Sequence, residues 1–358
     1  MNRFFSFLTR RLLLIPITLL IITVILYGIV VLMPLETRVS LYMPNSNSMA
    51  EGWQERMRVK IIATHHLDEP FQVQYVYWLR SLVTGDWGFS PMLNSEVLPQ
   101  LIKRTPVTIE LILYSLLLQI PLGLAAGIIA AQKKNKAPDV ITRFFAFFAS
   151  SMPDFILAFM LLATFYIGLY WFPPERLSTA SHLVVTSAAF KTYTGLMTVD
   201  GFLNGRPDIS LDAFRHLVLP VFTLSFAHWA TLTRLTRTQV LEEMDKEYIT
   251  AAYARGVTEH MAVWRHAFRN TLGPALNASA VTAATLVTGA YVVERIFNLN
   301  GVSDLITRYG PMVPDAPAVL GFSIYSTILV LLIMLTLDTL QAILLPHIKE
   351  ETIYNEKI

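Results

Sequence analysis

Six stretches of the chain stay apolar over a length that crosses a bilayer: Leu12 to Met33, Val107 to Ala131, Phe144 to Phe172, His216 to Thr233, Pro274 to Val293 and Leu320 to Leu345. Lipid offers no partner for backbone N–H and C=O groups, so each stretch predicts a helix, and all are too long for barrel strands of roughly ten alternating residues. The first follows the basic start MNRFFSFLTRR. It reads as a retained helix rather than a signal peptide, because it outruns a secretory apolar region and ends at Met33-Pro34-Leu35-Glu36 without a small-x-small cleavage pattern. The expected fold class is an all-α membrane protein of about six transmembrane helices, with an extracytoplasmic segment after the first.

The polar flanks set the expected orientation. Arg3, Arg10 and Arg11 precede the first stretch, and Lys133, Lys134, Lys136 and Arg143 crowd the link between the second and third, so both face the cytoplasm. Residues 34–106, 173–215 and 294–319 then lie outside, and 234–273 and the C-terminal tail inside. The chain divides into an N-terminal segment with the first helix (1–33), an extracytoplasmic segment (34–106), a five-helix core (107–348) that includes the inner loop 234–273, and a tail (349–358). Segment 34–106 has mixed charge and carries Trp53, Trp78 and Trp87, which predicts a small folded cap. Segment 173–215 reads as a loop with a short helix.

The inner loop parses into three helices. Leu235 to Met244 continues the fourth span; Lys246 to Arg255 follows, with Asp245 as N-cap and Gly256 just past the end; Met261 to Leu272, capped by Thr258, leads into the fifth span. On the middle helix Ala251 and Ala252 leave room for a partner's surface, and Tyr248 and Tyr253 offer aromatic area to a pocket. An ordinary amphipathic inner loop accounts for the same residues.

Composition narrows the function. Hydrophobic residues make up 54% and charged residues 15%, with a net charge of +2, so membrane and not nucleic acid is the chain's surrounding. There is no cysteine, which excludes disulfides and thiolate chemistry. No Gly-Lys pair occurs, so a GxxxxGK[ST] phosphate cradle is absent and any ATP-driven motor is another polypeptide. The histidines show no metal-ligand spacing, and no pair of catalytic groups at matching depth supports an intramembrane enzyme. Asp154, beside Pro153, and Asp338 are acidic groups in apolar surroundings. They fit either contact with a cation or proton, or bland roles: Asp154 at a polar helix interface, Asp338 near the headgroups or paired with a neighbouring subunit. An ion-coupled secondary transporter using one of them is the alternative to an ATP-driven one. Gly123 and Gly127 form a small-xxx-small pair, read as packing within the chain rather than dimerisation. Pro121, Pro153 and Pro220 are given little weight, because prolines are common in membrane helices.

The stretch EYITAAYARGVTEHMAVWRHAFRN, with Ala251-Ala252, three residues and then Gly256, resembles the cytoplasmic loop of binding-protein-dependent ABC importer permeases. It is most similar to the first permease type of the oligopeptide, dipeptide and nickel systems. Leu67 to Pro70, Gly85 to Ser90, Arg104 to Leu111, Arg215 to Pro220 and Val293 to Phe297 extend the resemblance along nearly the whole chain. Two departures stand out: Thr250 replaces an acidic residue, and Arg265 to Asn270 replaces an apolar ending.

The resemblance implies a type I importer permease that pairs with a second permease subunit and binds two ATP-binding subunits. An extracytoplasmic binding protein would deliver oligopeptides or dipeptides. ATP and Mg would sit on the partner ATPases, with no cofactor and no enzymatic activity on this chain. The expected location is a bacterial or archaeal inner membrane, with both termini cytoplasmic. Glu247, Tyr248, Ala251, Ala252, Arg255 and Gly256 are implied as the ATPase-coupling surface, with Arg265, His266, Arg269 and Asn270 fixing the loop to the membrane domain.

Overall fold

A computed structural model describes residues 2–43, 52–307 and 315–344. Four of its helices are long and apolar enough to cross a membrane: Arg11–Val31, Val97–Gln132, Pro207–Met244 and Ala316–Ile343. Two bent pairs, Ala137–Ser151 with Asp154–Gly168 and Glu259–Ser279 with Ala284–Ile296, bring the number to six if each pair is one span.

The third expected stretch, Phe144 to Phe172, is not one helix. It breaks at Met152-Pro153 into arms 103° apart. Proline has no N–H to donate and its ring pushes the preceding residue out of the helical region. Met152 accordingly sits extended at φ −92°, ψ 118°, and a new helix starts at Asp154. Pro220 lies inside an unbroken helix, so Pro153 had earned more weight than the other prolines.

The chain forms two compact units, residues 1–107 with 300–331, and 108–299 with 332–358. The first contains α1 (Asn2–Val31), α2 (Leu35–Ser40), α3 (Trp53–His65), α4 (Phe71–Thr84), a two-residue hairpin of β1 (Phe89–Ser90) and β2 (Ser95–Glu96), and the start of α5 (Val97–Gln132). Segment 34–106 is thus largely helical. Gly85, at φ +88°, ends α4: Asp86 N–H donates to Ser81 O and Gly85 N–H to Leu82 O, a pair of hydrogen bonds that needs the left-handed residue. Tyr27 of α1 stacks on Trp78 of α4 at 4.7 Å between centroids, and Thr23 Oγ1 bonds Tyr75 Oη at 3.0 Å. Val97 and Leu101 form a core with Val302, Leu305, Ala318 and Leu329.

The second unit continues with α6 (Ala137–Ser151) and α7 (Asp154–Leu161), which runs on as a π-turn over Leu162–Gly168. Then come α8 (Thr179–Val185), α9 (Met197–Leu203), α10 (Pro207–Met244), α11 (Glu247–Ala254) and α12 (Glu259–Met261), a second π-turn over Ala262–Ala267, and α13 (Phe268–Ile296). Short α14 (Asp304–Thr307) belongs to the first unit, and α15 (Ala316–Leu344) to both. Segment 173–215 is folded around Leu177, Met197, Ile209 and Ala213, and α10 starts nine residues before the expected His216.

α5 and α10 pack closely through the two glycines. A Cβ at Gly127 would lie 2.6 Å from Thr236 Cβ and 2.8 Å from Thr233 O, and one at Gly123 2.8 Å from Leu232 Cδ2. The small-xxx-small pair therefore serves packing within this chain. Gly127→Leu is expected to cost about 1–3 kcal/mol by overpacking, read as a lower melting temperature of the purified chain in detergent. An unchanged melting temperature would contradict this packing.

Candidate functional site

The loop between the fourth and fifth spans is built on the end of α10. That helix runs unbroken to Met244; Asp245 keeps helical angles at its C-terminus and Lys246, extended at φ −79°, ψ 150°, opens α11. Asp245 is therefore not the N-cap of the middle helix. Reversing the chain takes two residues here, one to finish α10 and one to turn, and the second is Lys246.

α11 ends as expected. Gly256 stands at φ +82°, Val257 N–H bonds Ala252 O at 3.2 Å and Gly256 N–H bonds Tyr253 O at 2.9 Å, a Schellman ending whose Val257 packs back on the core. Thr258 caps the next helix, its side chain accepting from Met261 N–H.

One face of α11 is buried. Ile249 joins Ile128, Ala131, Val240, Ala262, Val263 and Ala267 in a common core, a burial worth about 1.5–3 kcal/mol for the isoleucine. Ala252, three residues on, is 1% exposed on the same side. This corrects the expectation that Ala251 and Ala252 both face a partner: adjacent helical residues point about 100° apart, and only Ala251 is exposed. Glu247, Thr250, Tyr253, Ala254 and Arg255 share its exposure. Of the two tyrosines, Tyr253 presents its ring, 41% exposed, while Tyr248 is half-buried and spends its hydroxyl inward. Arg255 folds its Nε–H onto Ala251 O at 3.2 Å.

A carboxylate that sequence reasoning missed ties this helix down. Glu243, on the last turn of α10, accepts from Tyr248 Oη at 2.7 Å and Asn270 Nδ2 at 3.2 Å, and pairs with Lys246. Asn270 also donates to Tyr248 Oη at 3.1 Å. The node binds the ends of α10, α11 and α13 to each other. Arg265, His266 and Arg269, expected to share this anchoring, make no side-chain hydrogen bond or ion pair among the described residues. Arg265, within the π-turn, and Arg269, at the start of α13, are exposed, and only Asn270 of the four reaches the node.

A second missed carboxylate braces the other side of α10. Asp139, fully buried, receives Arg237 on both oxygens, Nε to Oδ1 at 2.5 Å and Nη2 to Oδ2 at 2.9 Å, and accepts Asn135 N–H at 2.8 Å. It stands in the first turn of α6, where the helix dipole also favours a negative charge. The signal was present in the sequence as one acidic residue among Lys133, Lys134, Lys136 and Arg143.

Of the acidic residues within the spans, half-buried Asp154 opens α7 and lies against Gly289 of α13, and Asp338 is buried on α15. Among the described residues no three His, Asp or Glu side chains are grouped to hold a metal ion.

Comparison with known proteins gives this loop a context. The sequence model described as "binding-protein-dependent transport system inner membrane component" matches residues 123–350, which contain the whole loop. The dipeptide transport system permease protein DppB of Alkalihalophilus pseudofirmus is 29% identical over 95% of this chain and 98% of its own length. The di/tripeptide transport system permease protein DppB of Pseudomonas aeruginosa is 30% identical over 97% and 99%. The oligopeptide transport system permease protein AppB of Bacillus subtilis is 29% identical over 82% and 85%. With a multi-helix membrane fold and a family match over more than half its length, the chain belongs to the family of inner membrane components of binding-protein-dependent transport systems.

Proposed function

We propose that this chain is one permease subunit of an ATP-driven importer of oligopeptides or dipeptides in a bacterial or archaeal inner membrane, with both termini cytoplasmic. It works with a second permease, two ATP-binding subunits that carry ATP and Mg, and an extracytoplasmic binding protein. The observation that carries the reading is the near full-length likeness to peptide permeases. The site adds a short helix with an exposed face of Glu247, Ala251, Tyr253 and Arg255, held from behind by Ile249 and the Glu243 node. A part so braced moves as one body with the spans: ATP-driven closure of the motor domains carries α11, and α10 and α13 follow.

The test is gentle purification of the tagged chain from its native membrane. Recovery of a second multi-span permease with P-loop ATPases supports the reading. Recovery of the chain alone, with uptake driven by an ion gradient, would replace it with the secondary transporter and return attention to Asp154 and Asp338.

A sharper test uses Gly256→Val. No heavy atom lies within 4 Å of an added Cβ, so the cost is the left-handed backbone, about 1–2 kcal/mol. The variant is expected to reach the membrane and assemble while uptake per ATP hydrolysed falls severalfold; normal coupling in a well-expressed variant would remove α11 from the mechanism.

A further inference from the structure

The first unit contains a cavity of about 190 Å³ lined in part by aromatic rings, those of Tyr27, Tyr42, His65, Tyr77, Trp78 and Trp87. Tyr27 stacks on Trp78 at 4.7 Å and Tyr42 on His65 at 4.1 Å, and both pairs line the cavity with Trp87. Among the described residues the lining includes one carboxylate, Asp86, and neither lysine nor arginine. Asp86 is placed by the left-handed turn at Gly85, and Gly88 N–H donates to its Oδ1 at 3.1 Å. Its Oδ2 accepts no hydrogen bond among the described residues. Burial, the largest cause, lowers the pKa of His65 against a smaller opposing pull from Asp86, which favours the uncharged ring in this lining. Arg38, whose charge acts on the hydroxyls of Tyr27 and Tyr42, is not in the lining and donates to Gln74 Oε1 at 2.9 Å.

We propose that this aromatic cavity with Asp86 at its rim binds an ammonium group, primary or quaternary, carried by a small ligand. Faces of tyrosine and tryptophan attract cations through the ring quadrupole, most strongly where water is excluded, and a single carboxylate supplies the counter-charge. Interfacial aromatics commonly form a belt at headgroup level. Belt residues lie singly against lipid, whereas Tyr27 is 3% exposed and these rings pair around a partly open cavity. Two sources share the chemistry: the free N-terminus of a peptide, and the headgroup of an ethanolamine or choline phospholipid. Only the peptide source rests on the importer reading.

The test is titration of the full chain, purified in detergent, with tetramethylammonium chloride and with ethylammonium chloride, read by tryptophan fluorescence against sodium chloride at equal ionic strength. Saturable binding is expected, weakened about tenfold in Asp86→Asn. Asp86 is exposed and its amide analogue keeps the Gly88 contact, so the variant should fold; its melting temperature checks that. Competition by a dipeptide but not by its N-acetyl form identifies the peptide source. Competition by phosphatidylethanolamine but not phosphatidylglycerol in nanodiscs identifies the lipid. Sodium matching both ammonium salts, or Asp86→Asn binding as tightly as the parent, overturns the proposal. The assay needs no ATPase, so its outcome is independent of whether the importer assembles.

Discussion

Replacing Asp139 by alanine is expected to destabilise the purified chain by about 3–5 kcal/mol, the usual cost of removing one partner from a buried ion pair. The size follows from what is left behind. Arg237, with 17% of its side chain exposed, has spent two N–H groups on the carboxylate, and Asn135 N–H loses its acceptor as well. A surface pair would cost under about 1 kcal/mol, so the magnitude itself reports burial. The measurement is unfolding of the variants in detergent, including the Asp139→Ala/Arg237→Ala double variant. A coupled pair predicts that the double variant loses clearly less than the sum of the singles. A single-variant loss below about 1 kcal/mol would return the pair to the class of exposed ion pairs.

The position of this pair gives it a place in the proposed mechanism. Arg237 and Glu243 lie six residues apart on α10. Through the first, α10 holds the start of α6, the near arm of the broken third span; through the second it holds α11 and α13. In that mechanism a displacement of α11 would be passed to α10 through Glu243 and on to α6 through Asp139. Uptake per ATP in the conservative variant Arg237→Lys separates this role from bulk stability, because lysine keeps the charge and loses the two-pronged geometry.

Hydropathy made the spans legible because lipid imposes one rule along their whole length, and the three-helix parse of the inner loop followed from Gly256 and Thr258, whose roles are local. Where water replaces lipid that rule stops. Pro207 to Arg215 carries Asp208, Asp212 and Arg215 and reads as loop, yet α10 already runs through it. The break at Pro153 was visible as a proline but not as a break, because Pro220 in the same protein interrupts nothing. What decides is whether the preceding residue turns extended, as Met152 does. Ala251 and Ala252 are adjacent yet differ in exposure, and the Ile249, Ala252 spacing marks the buried face of α11. Glu243 and Asp139 each have local partners, but the contacts that tie separate helices together are to Asn270 and Arg237, 27 and 98 residues away, and no local pattern encodes those.

Glu110→Ala is expected to be as costly as Asp139→Ala, about 3–5 kcal/mol, with its effect concentrated in a different part of the unit. Glu110, 1% exposed on α5, accepts Thr198 N–H at 2.9 Å, Thr198 Oγ1 at 2.6 Å and Arg176 Nη2 at 2.9 Å. Arg176 also donates to Gly195 O at 2.5 Å. One carboxylate thus fastens Arg176, near the start of the segment between the third and fourth spans, and Thr198 of α9 in its middle; the segment's own core is small. Removing it leaves the Arg176 charge and two Thr198 donors to be resolvated, which is easiest if the segment lifts off α5. Hydrogen exchange at the Gly195 and Thr198 amides should accelerate by orders of magnitude, and protease should cut between residues 186 and 194 where the parent resists. Glu110→Gln, which keeps an acceptor for Thr198 but loses the charge that holds Arg176, should fall between parent and alanine. If the alanine variant exchanged at the parent's rate throughout this segment, Glu110 would be a passenger and the small core alone would hold the fold.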